Sequence, residues 1–154
     1  MLDSKDFLGC GWAFPPTFRK EDDNNNNEGY ALMAVGRDDI EQSLRILLST
    51  SLGERVMVPQ YGCNLSDYQF AAINNTLVGF IIDLVSNAIL FYEARIKADN
   101  ITVTESDSWD AVQGFLRINI DYTIKATNSR YNFVYDFYIR EGNADGVNTI
   151  TAIR

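Results

Sequence analysis

Hydrophobic and polar residues alternate with a period of two in the C-terminal half of the chain. Over residues 116–126 the even positions are Leu, Ile, Ile, Tyr, Ile and Ala, whereas the odd positions are Arg, Asn, Asp, Thr and Lys. This alternation is typical of a strand with one buried face. A turn at 127–130 and a second alternating run over 131–139 predict the returning strand of a hairpin, and residues 101–105 predict a third strand.

Residues 38–50 instead show the spacing of an amphipathic helix. Asp38 or Asp39 can cap its N-terminus, with an acid or an amide following at the capping-box position, and Gly53 supplies the stop. The hydrophobic face predicted for this helix consists of Ile40, Leu44, Leu47 and Leu48.

A second helix is predicted over residues 76–97, and hydrophobic residues cover so much of its circumference that only a narrow polar face remains. This pattern indicates a central core helix. Arg95 and Lys97 would fall in its last turn, where positive charges suit the helix dipole. Its longest apolar stretch, 77–90, contains Asp83 and is shorter than the roughly 20 residues of a spanning helix, so membrane insertion is not expected.

Shorter segments lie toward both ends of the chain. Residues 7–14 are too rich in glycine for a helix and predict an extended segment with Trp12 and Phe14 on one face, and residues 30–35 predict a short apolar strand. The polar run 21–28 predicts a surface loop. Residues 147–153 follow a glycine-containing linker and predict a strand that closes the sheet as an edge or pairs with another chain.

Length and composition fit a single domain. The chain has 154 residues, of which 46% are hydrophobic and 22% charged, and this is enough for one globular core. Together with the elements above, it predicts one α+β domain over residues 1–154, in which a small antiparallel or mixed sheet packs against two main helices. A loop at about 20–29 and a C-terminal strand segment at about 147–153 complete the prediction.

The charge balance bears on the partners that the chain can bind. The formal net charge is -8, and no cluster of Lys and Arg offers phosphate contacts, so nucleic-acid binding is not expected and a basic partner surface fits better. The first residues lack the pattern of a signal peptide, so assembly in the cytoplasm is expected. In that compartment Cys10 and Cys63 are expected to be free thiols.

The sequence shows no pattern typical of a catalytic centre. It contains no histidine, neither cysteine has a basic neighbour, and there is no glycine-rich phosphate loop or metal-ligand spacing. No metal, cofactor or small-molecule substrate is therefore predicted.

The segment 53–62, Gly-Glu-Arg-Val-Met-Val-Pro-Gln-Tyr-Gly, places an acid, a base and a proline in one loop-like stretch after the first helix. Loops carry recognition more often than the core does, so a partner is expected to contact this segment. The alternative is a helix exit followed by an ordinary turn. The residues favoured for partner binding are Glu54, Arg55, Pro59 and Tyr61.

Four segments form a series along the chain: Leu-Gly-Cys-Gly-Trp-Ala-Phe-Pro at 8–15, the predicted helix at 38–50, the segment 53–62, and Tyr-Gly-Cys-Asn-Leu at 61–65. In this order and spacing they resemble the gene-25-like family of small baseplate wedge proteins in contractile tails. That family occurs in phages, type VI secretion systems and extracellular contractile injection systems. Its members often carry an arginine before the proline and an acid after it, where this chain has Val58 and Gln60.

The resemblance implies a structural baseplate subunit that docks to the wedge core and templates the first sheath ring. Other wedge proteins and the sheath protein would be its partners. Glu54 and Arg55 would dock a helical partner, and Gly62 joins the partner-binding residues. An unpaired sheet edge is a physical template for strand addition. The edge predicted to pair with the sheath comprises Tyr135, Phe137, Ile139, Val147, Thr149 and Thr151.

A tail-associated, lysozyme-like glycoside hydrolase is the alternative function, because the family bears a historical lysozyme label. Such an enzyme needs two acids that flank the sugar, one of them protonated in an apolar pocket. Glu54 is the only candidate, but Arg55 follows it directly, and a neighbouring cation favours the ionised form. A structural Glu54–Arg55 pair is therefore predicted in preference to a catalytic glutamate. The type of contractile machine, the copy number and the choice of sheath-pairing edge stay open.

Overall fold

The computed structural model describes residues 8–20, 29–68, 71, 74–105 and 115–138. The loop predicted at 21–28 and the strand predicted at 147–153 lie outside the described residues, as do Ile139, Val147, Thr149 and Thr151. In chain order the described elements are β1 (Cys10–Trp12), β2 (Phe18–Lys20), β3 (Gly29–Ala31), β4 (Met33–Val35), α1 (Arg37–Ser49), a 3-10 helix (Leu65–Tyr68), α2 (Asn75–Tyr92), β5 (Ile96–Glu105), β6 (Phe115–Ile124) and β7 (Ser129–Tyr138).

Strands β5, β6 and β7 form an antiparallel sheet in that order, with β6 in the centre. The predicted alternation is confirmed as far as Ile124, because every even position from Leu116 to Ile124 is buried while Arg117 and Asp121 face solvent. Ala126 is exposed, because the turn begins at 125, two residues earlier than predicted. The return strand is confirmed as well, with Phe133 and Phe137 buried on its inner face. The α+β class predicted from the sequence is therefore correct.

The inner face of this sheet and one face of each helix enclose a single hydrophobic core. Helix α1 contributes the four residues that its spacing predicted, and α2 lies against β5 and α1. The buried residues of the two helices are Ile40, Leu44, Leu47, Leu48, Leu77, Ile81, Val85, Ala88 and Ile89.

Helix α1 begins and ends differently from the prediction. Its N-cap is Gly36, whose φ is 63° and which provides no side-chain cap, so the caps predicted at Asp38 and Asp39 are wrong. Asp39 bonds to a cation from another element instead. The helix ends at Ser49, because Thr50 turns to an extended conformation and its hydroxyl donates to the carbonyl of Ile46 at 2.6 Å. The stop predicted at Gly53 is therefore misplaced.

Helix α2 ends at Tyr92, five residues before the predicted end at 97. Arg95 and Lys97 do not lie in its last turn, because Arg95 lies in the following turn and Lys97 belongs to β5. The helix starts where the side chain of Asn74 accepts a hydrogen bond from the amide of Leu77 at 2.7 Å. Strand β5 consequently begins at Ile96, earlier than the predicted 101.

Helix α2 packs on the core as predicted, but more of its apolar surface is exposed than its composition predicted. Five of its 18 residues are buried, whereas Phe80, Leu90 and Phe91 are exposed. By length and apolar composition alone it could cross a membrane, and it is the one such helix among the described residues. Its buried face packs against β5 and α1, as the core helix of a globular domain does.

The N-terminal strands form a bulged hairpin outside the main sheet. β1 pairs with β4 and β2 pairs with β3, and the backbone of Leu32 bridges the two pairs through Ala13 and Thr17. The single strand predicted at 30–35 is thus divided at Leu32. The side-chain amide of Gln42 on α1 holds this hairpin, since it accepts from the Phe14 amide at 2.8 Å and donates to the Trp12 carbonyl at 2.7 Å.

An ion cluster joins α1, the turn after α2 and the N-terminal segment. Arg95 donates to both carboxylate oxygens of Glu93, at 2.7 and 2.8 Å, to Asp39 at 2.6 Å and to the carbonyl of Leu8 at 3.0 Å. Burial by itself would raise the pKa of Glu93, but hydrogen bonds from Arg95 and Ser43 outweigh burial and lower it. The same contacts with Glu93 and Asp39 raise the pKa of Arg95.

We expect Arg95→Met to lower the free energy of unfolding by about 3 kcal/mol at neutral pH, because it leaves the buried Glu93 carboxylate without its main partner. The matched control is Arg37→Met, which removes an exposed pair with Glu41 and should cost less than about 1 kcal/mol. Urea unfolding of both variants and the wild type measures the difference.

The pH dependence of the same variant gives a second readout. In the folded wild type the pKa of Glu93 is lowered, so its stabilising contribution is complete above the unfolded pKa, about 4.3, and is lost as the pH falls through the folded value. In Arg95→Met burial remains without the compensating bonds, so protonation of Glu93 should relieve the defect. The deficit should therefore shrink on acidification to about pH 4. A difference in unfolding free energy that stays constant with pH would show that the charge of Glu93 contributes little to the destabilisation.

Candidate partner-binding loop

The segment 53–62 is a closed loop whose two ends are joined by backbone hydrogen bonds. The amide of Gly53 donates to the carbonyl of Pro59 at 2.7 Å, and the amide of Cys63 donates to the carbonyl of Thr50 at 2.9 Å. A further bond inside the loop runs from the Tyr61 amide to the Val58 carbonyl at 3.0 Å. These bonds fix the base of the loop to the end of α1. We call this segment the 53–62 loop.

Gly62 is required at the base of this loop. Its φ is 133°, and a Cβ atom placed on it would lie 2.4 Å from the carbonyl oxygen of Thr50. That distance is far below contact, and the opposing atom belongs to the backbone and cannot rotate away. Gly62 thus allows the two backbone segments at the base of this loop to approach closely.

The tip of the loop is apolar and faces solvent. Val56 and Met57 are each 91% exposed, more than any other large hydrophobic residue that the structure describes. Glu54, Arg55 and Pro59 are exposed beside them. Neither Val56 nor Met57 is among the partner-binding residues predicted from the sequence. The signal that could have identified them is an apolar pair in a loop between glycine and proline, where no core is available to bury it.

Arg55 lies over the face of an aromatic ring. Its guanidinium carbon is 3.9 Å from the centroid of the Tyr61 ring, and Tyr61 in turn packs edge-on against Tyr92 at 5.1 Å between centroids. The hydroxyl of Tyr92 donates to the carbonyl of Gln60. Partial burial raises the pKa of Tyr61. Tyr92, the last residue of α2, therefore contacts the loop at both Tyr61 and Gln60.

The predicted ion pair between Glu54 and Arg55 is wrong. One carboxylate oxygen of Glu54 accepts a hydrogen bond from the amide of Ser51 at 2.9 Å, so the side chain turns back toward the end of α1. Arg55 turns the other way, onto Tyr61. Among the residues that the structure describes, no ion pair joins the two side chains.

The predicted sheath-pairing edge is described only in part. One edge of β7 pairs with β6 along ten residues, and no strand of the described ranges pairs with the other edge. Phe137 is buried and Tyr135 is half-buried, since both side chains point into the core. A partner strand at this edge would therefore meet the backbone of β7 and not these two side chains.

Comparison with known proteins identifies the family. The model of the family "Baseplate wedge protein gp25" matches residues 34–129, which include the 53–62 loop. The chain belongs to the gp25 baseplate wedge family. A Geobacter sulfurreducens protein of known crystal structure, provisionally named a tail lysozyme, is 40% identical to it, with a TM-score of 0.62 over 70% of this chain and 94% of that one. No curated protein matches the sequence significantly.

Two further structures share the fold at lower identity. A chain of the anti-feeding prophage baseplate is 23% identical, with a TM-score of 0.59 over 88% of this gp25-family chain and 90% of its own length. A chain of the type VI secretion system baseplate complex is 15% identical, with a TM-score of 0.53 over 66% and 92%. At these identities the likeness shows the fold alone.

A shallow depression of about 470 Å³ on the gp25-family domain is lined by two acids. Asp99 accepts a hydrogen bond from Thr123, and Asp121 accepts one from Asn132 at 2.7 Å. The depression is lined by Asp99, Asn100, Asp121, Tyr122, Arg130, Tyr131 and Asn132. Glu54 does not line it.

Within the described ranges, no three acidic or cysteine side chains converge as metal ligands, and Cys10 and Cys63 are free thiols.

Proposed function

We propose that this gp25-family protein is a structural subunit of the baseplate of a contractile injection machine, assembled in the cytoplasm. In this proposal the 53–62 loop docks to other wedge proteins, and the sheet offers an edge to the first ring of the sheath. The observation that carries the proposal is the fixed loop base that presents Arg55, Val56 and Met57 to solvent. The fold shared with chains of two baseplates supports it.

Docking through the loop follows from its physical character. Val56 and Met57 are consecutive apolar side chains that are almost fully exposed. Covering them with a partner stabilises the complex by about 25 cal/mol per Å² of apolar surface buried. The closed base limits the conformational entropy that the loop loses on binding. Pro59 and Gly62 serve this role by shaping the backbone, whereas Glu54 holds the start of the loop through the amide of Ser51.

Cleavage of a glycan by this chain is the second candidate, because the 40% identical relative bears the name of a tail lysozyme. The geometry gives it less support. A general acid must be a protonated carboxyl in an apolar setting, whereas Asp99 and Asp121 lie among polar side chains in an open depression. Glu54 is exposed on a loop and bonded to a backbone amide. We therefore favour the structural role and expect purified protein to leave peptidoglycan intact.

Strand pairing with the sheath is proposed for the open edge of β7, and the segment 147–153 is a second candidate for the same role. Each main-chain hydrogen bond contributes about 0.5–1.5 kcal/mol, so an isolated edge binds a strand only weakly. Several such edges held together in one ring would add through multivalency, about 10²-fold or more in avidity. A free monomer therefore need not aggregate through this edge.

Proline substitution tests the β7 edge. Successive amides of a strand point to opposite edges, so one of Val134→Pro and Tyr135→Pro removes a donor from the open edge and the other disrupts pairing with β6. Thermal melts identify the variant that retains the wild-type fold. We expect that variant to enter baseplates normally while sheath growth fails. Full-length sheaths on baseplates that carry it would exclude this edge and leave 147–153 to be tested by deletion.

A further inference from the structure

We propose that Arg55 binds a carboxylate of the docking partner, and that Val56 and Met57 enter an apolar cleft directly beside that carboxylate. This inference rests on the proposed docking role of the 53–62 loop and names the chemistry of the surface that the loop would meet. Three features support it: the free N–H donors of Arg55, the contact of its guanidinium with the Tyr61 ring, and the exposed Val56 and Met57 that follow it.

The hydrogen-bond donors of Arg55 are available to a partner. The side chain is exposed, and in the described part of the chain it makes no ion pair or hydrogen bond, because the nearest acid in sequence, Glu54, is engaged by the amide of Ser51. The contact with the Tyr61 ring is made over the face of that ring, 3.9 Å from its centroid, and is not a hydrogen bond to an oxygen acceptor. Its five N–H donors lie in the plane of that group and remain free.

The orientation of Arg55 is also fixed in advance. Its guanidinium lies 3.9 Å above a ring that is itself half-buried and packed against Tyr92. A cation held on an aromatic face loses less side-chain freedom when it binds. A planar fork of donors matches the two oxygens of a carboxylate, and lysine cannot reproduce that geometry.

The apolar pair places this carboxylate at the border of a cleft. Val56 and Met57 follow Arg55 directly on the same loop and are each 91% exposed, so we expect a partner that contacts Arg55 to cover them as well. Methionine adapts to irregular apolar cavities, and exclusion of water strengthens a neighbouring charged contact. Because the whole chain carries a charge of -8, attraction to an acidic group must act locally through Arg55 and not through long-range steering.

Incorporation into particles tests the carboxylate. Tagged Arg55→Lys, Arg55→Gln and Arg55→Glu chains are co-expressed with the untagged chain and the remaining particle proteins, and the tagged fraction in purified particles is measured. We expect the tagged fraction to decrease in the order wild type, Arg55→Lys, Arg55→Gln and Arg55→Glu. The Gln variant should be incorporated at least about tenfold less than the wild type. Arg19→Lys, at an exposed position on β2 outside the loop and the main sheet, is the matched control and should incorporate normally.

A zero-length carbodiimide crosslinker then identifies the partner group. In particles containing Arg55→Lys it should join the new amine to an aspartate or glutamate of another baseplate protein, as mass spectrometry would show. Equal loss for the Lys and Gln variants would refute the carboxylate while leaving loop docking intact. Crosslinks confined to Glu54 of the same chain would also refute it. Normal incorporation of all three variants would overturn both the carboxylate and the proposed docking role.

A pair of variants at Tyr61 tests the orientation of Arg55 separately. Tyr61→Phe keeps the ring and should incorporate like the wild type, whereas Tyr61→Leu keeps apolar bulk without the ring and should lose about as much as Arg55→Lys. Thermal melts confirm that both variants fold. Equal incorporation of the Phe and Leu variants would show that the aromatic face does not position Arg55.

Discussion

Replacing both Glu54 and Arg55 by alanine is expected to leave a folded, soluble monomer that no longer enters the baseplate. Both side chains are exposed, and neither contributes to the hydrophobic core, so the free energy of unfolding should change by less than about 1 kcal/mol. Loss of a charged contact at the centre of an interface costs several kcal/mol of binding, about 2–5. Incorporation should therefore fall at least about thirtyfold.

Thermal melts and the amount of tagged chain in purified particles measure the two quantities. The matched control replaces Arg37 and Glu41, an exposed ion pair on α1, by alanine. That control should fold and assemble. An unfolded Glu54/Arg55 variant would show that the pair supports the core, and normal particles would show that the two residues are incidental to assembly.

Gly62→Ala should have the largest effect on stability of any single methyl addition in the described glycines. The new Cβ would lie 2.4 Å from the carbonyl oxygen of Thr50, at a φ of 133° that side chains rarely adopt. Relief of this clash must break the hydrogen bond from Cys63 to Thr50 or displace Tyr61 from Tyr92. We expect a loss of about 3 kcal/mol or more.

Gly79→Ala is the matched control for this prediction. Gly79 lies on the exposed side of α2, and a Cβ there would meet no atom within 4 Å. Alanine should therefore stabilise the protein by about 0.5–1 kcal/mol through its higher helix propensity. Urea unfolding of the two variants gives the comparison. A Gly62→Ala chain as stable as the wild type would mean that the loop base relaxes freely.

The sequence predicted the sheet better than the ends of the helices. Alternation in β6 has a single physical cause, since one face of the strand packs on the core, and all the even side chains there are buried. Helix ends depend on distant contacts. Asp39 does not cap α1 because Arg95, far along the chain, binds it, and α2 ends where the chain turns to place Glu93 against the same Arg95.

The candidate loop could be located from sequence, but its internal geometry could not. Gly53, Pro59 and Gly62 mark a turn through their backbone restrictions, and all three lie where the loop closes. The pair predicted from adjacency, Glu54 with Arg55, does not form, because the stronger local partners are a backbone amide and an aromatic ring. Those partners depend on the three-dimensional path of the loop, which adjacency in sequence does not reveal.

The most direct test of the structural role is the position of this chain in an assembled particle, determined by electron cryomicroscopy. We expect the tip of the 53–62 loop, with Arg55, Val56 and Met57, to be buried against another baseplate protein. We also expect a strand of a sheath subunit to lie beside β7 or the segment 147–153. A map in which the loop tip is exposed to solvent and no sheath strand contacts either edge would contradict the structural role.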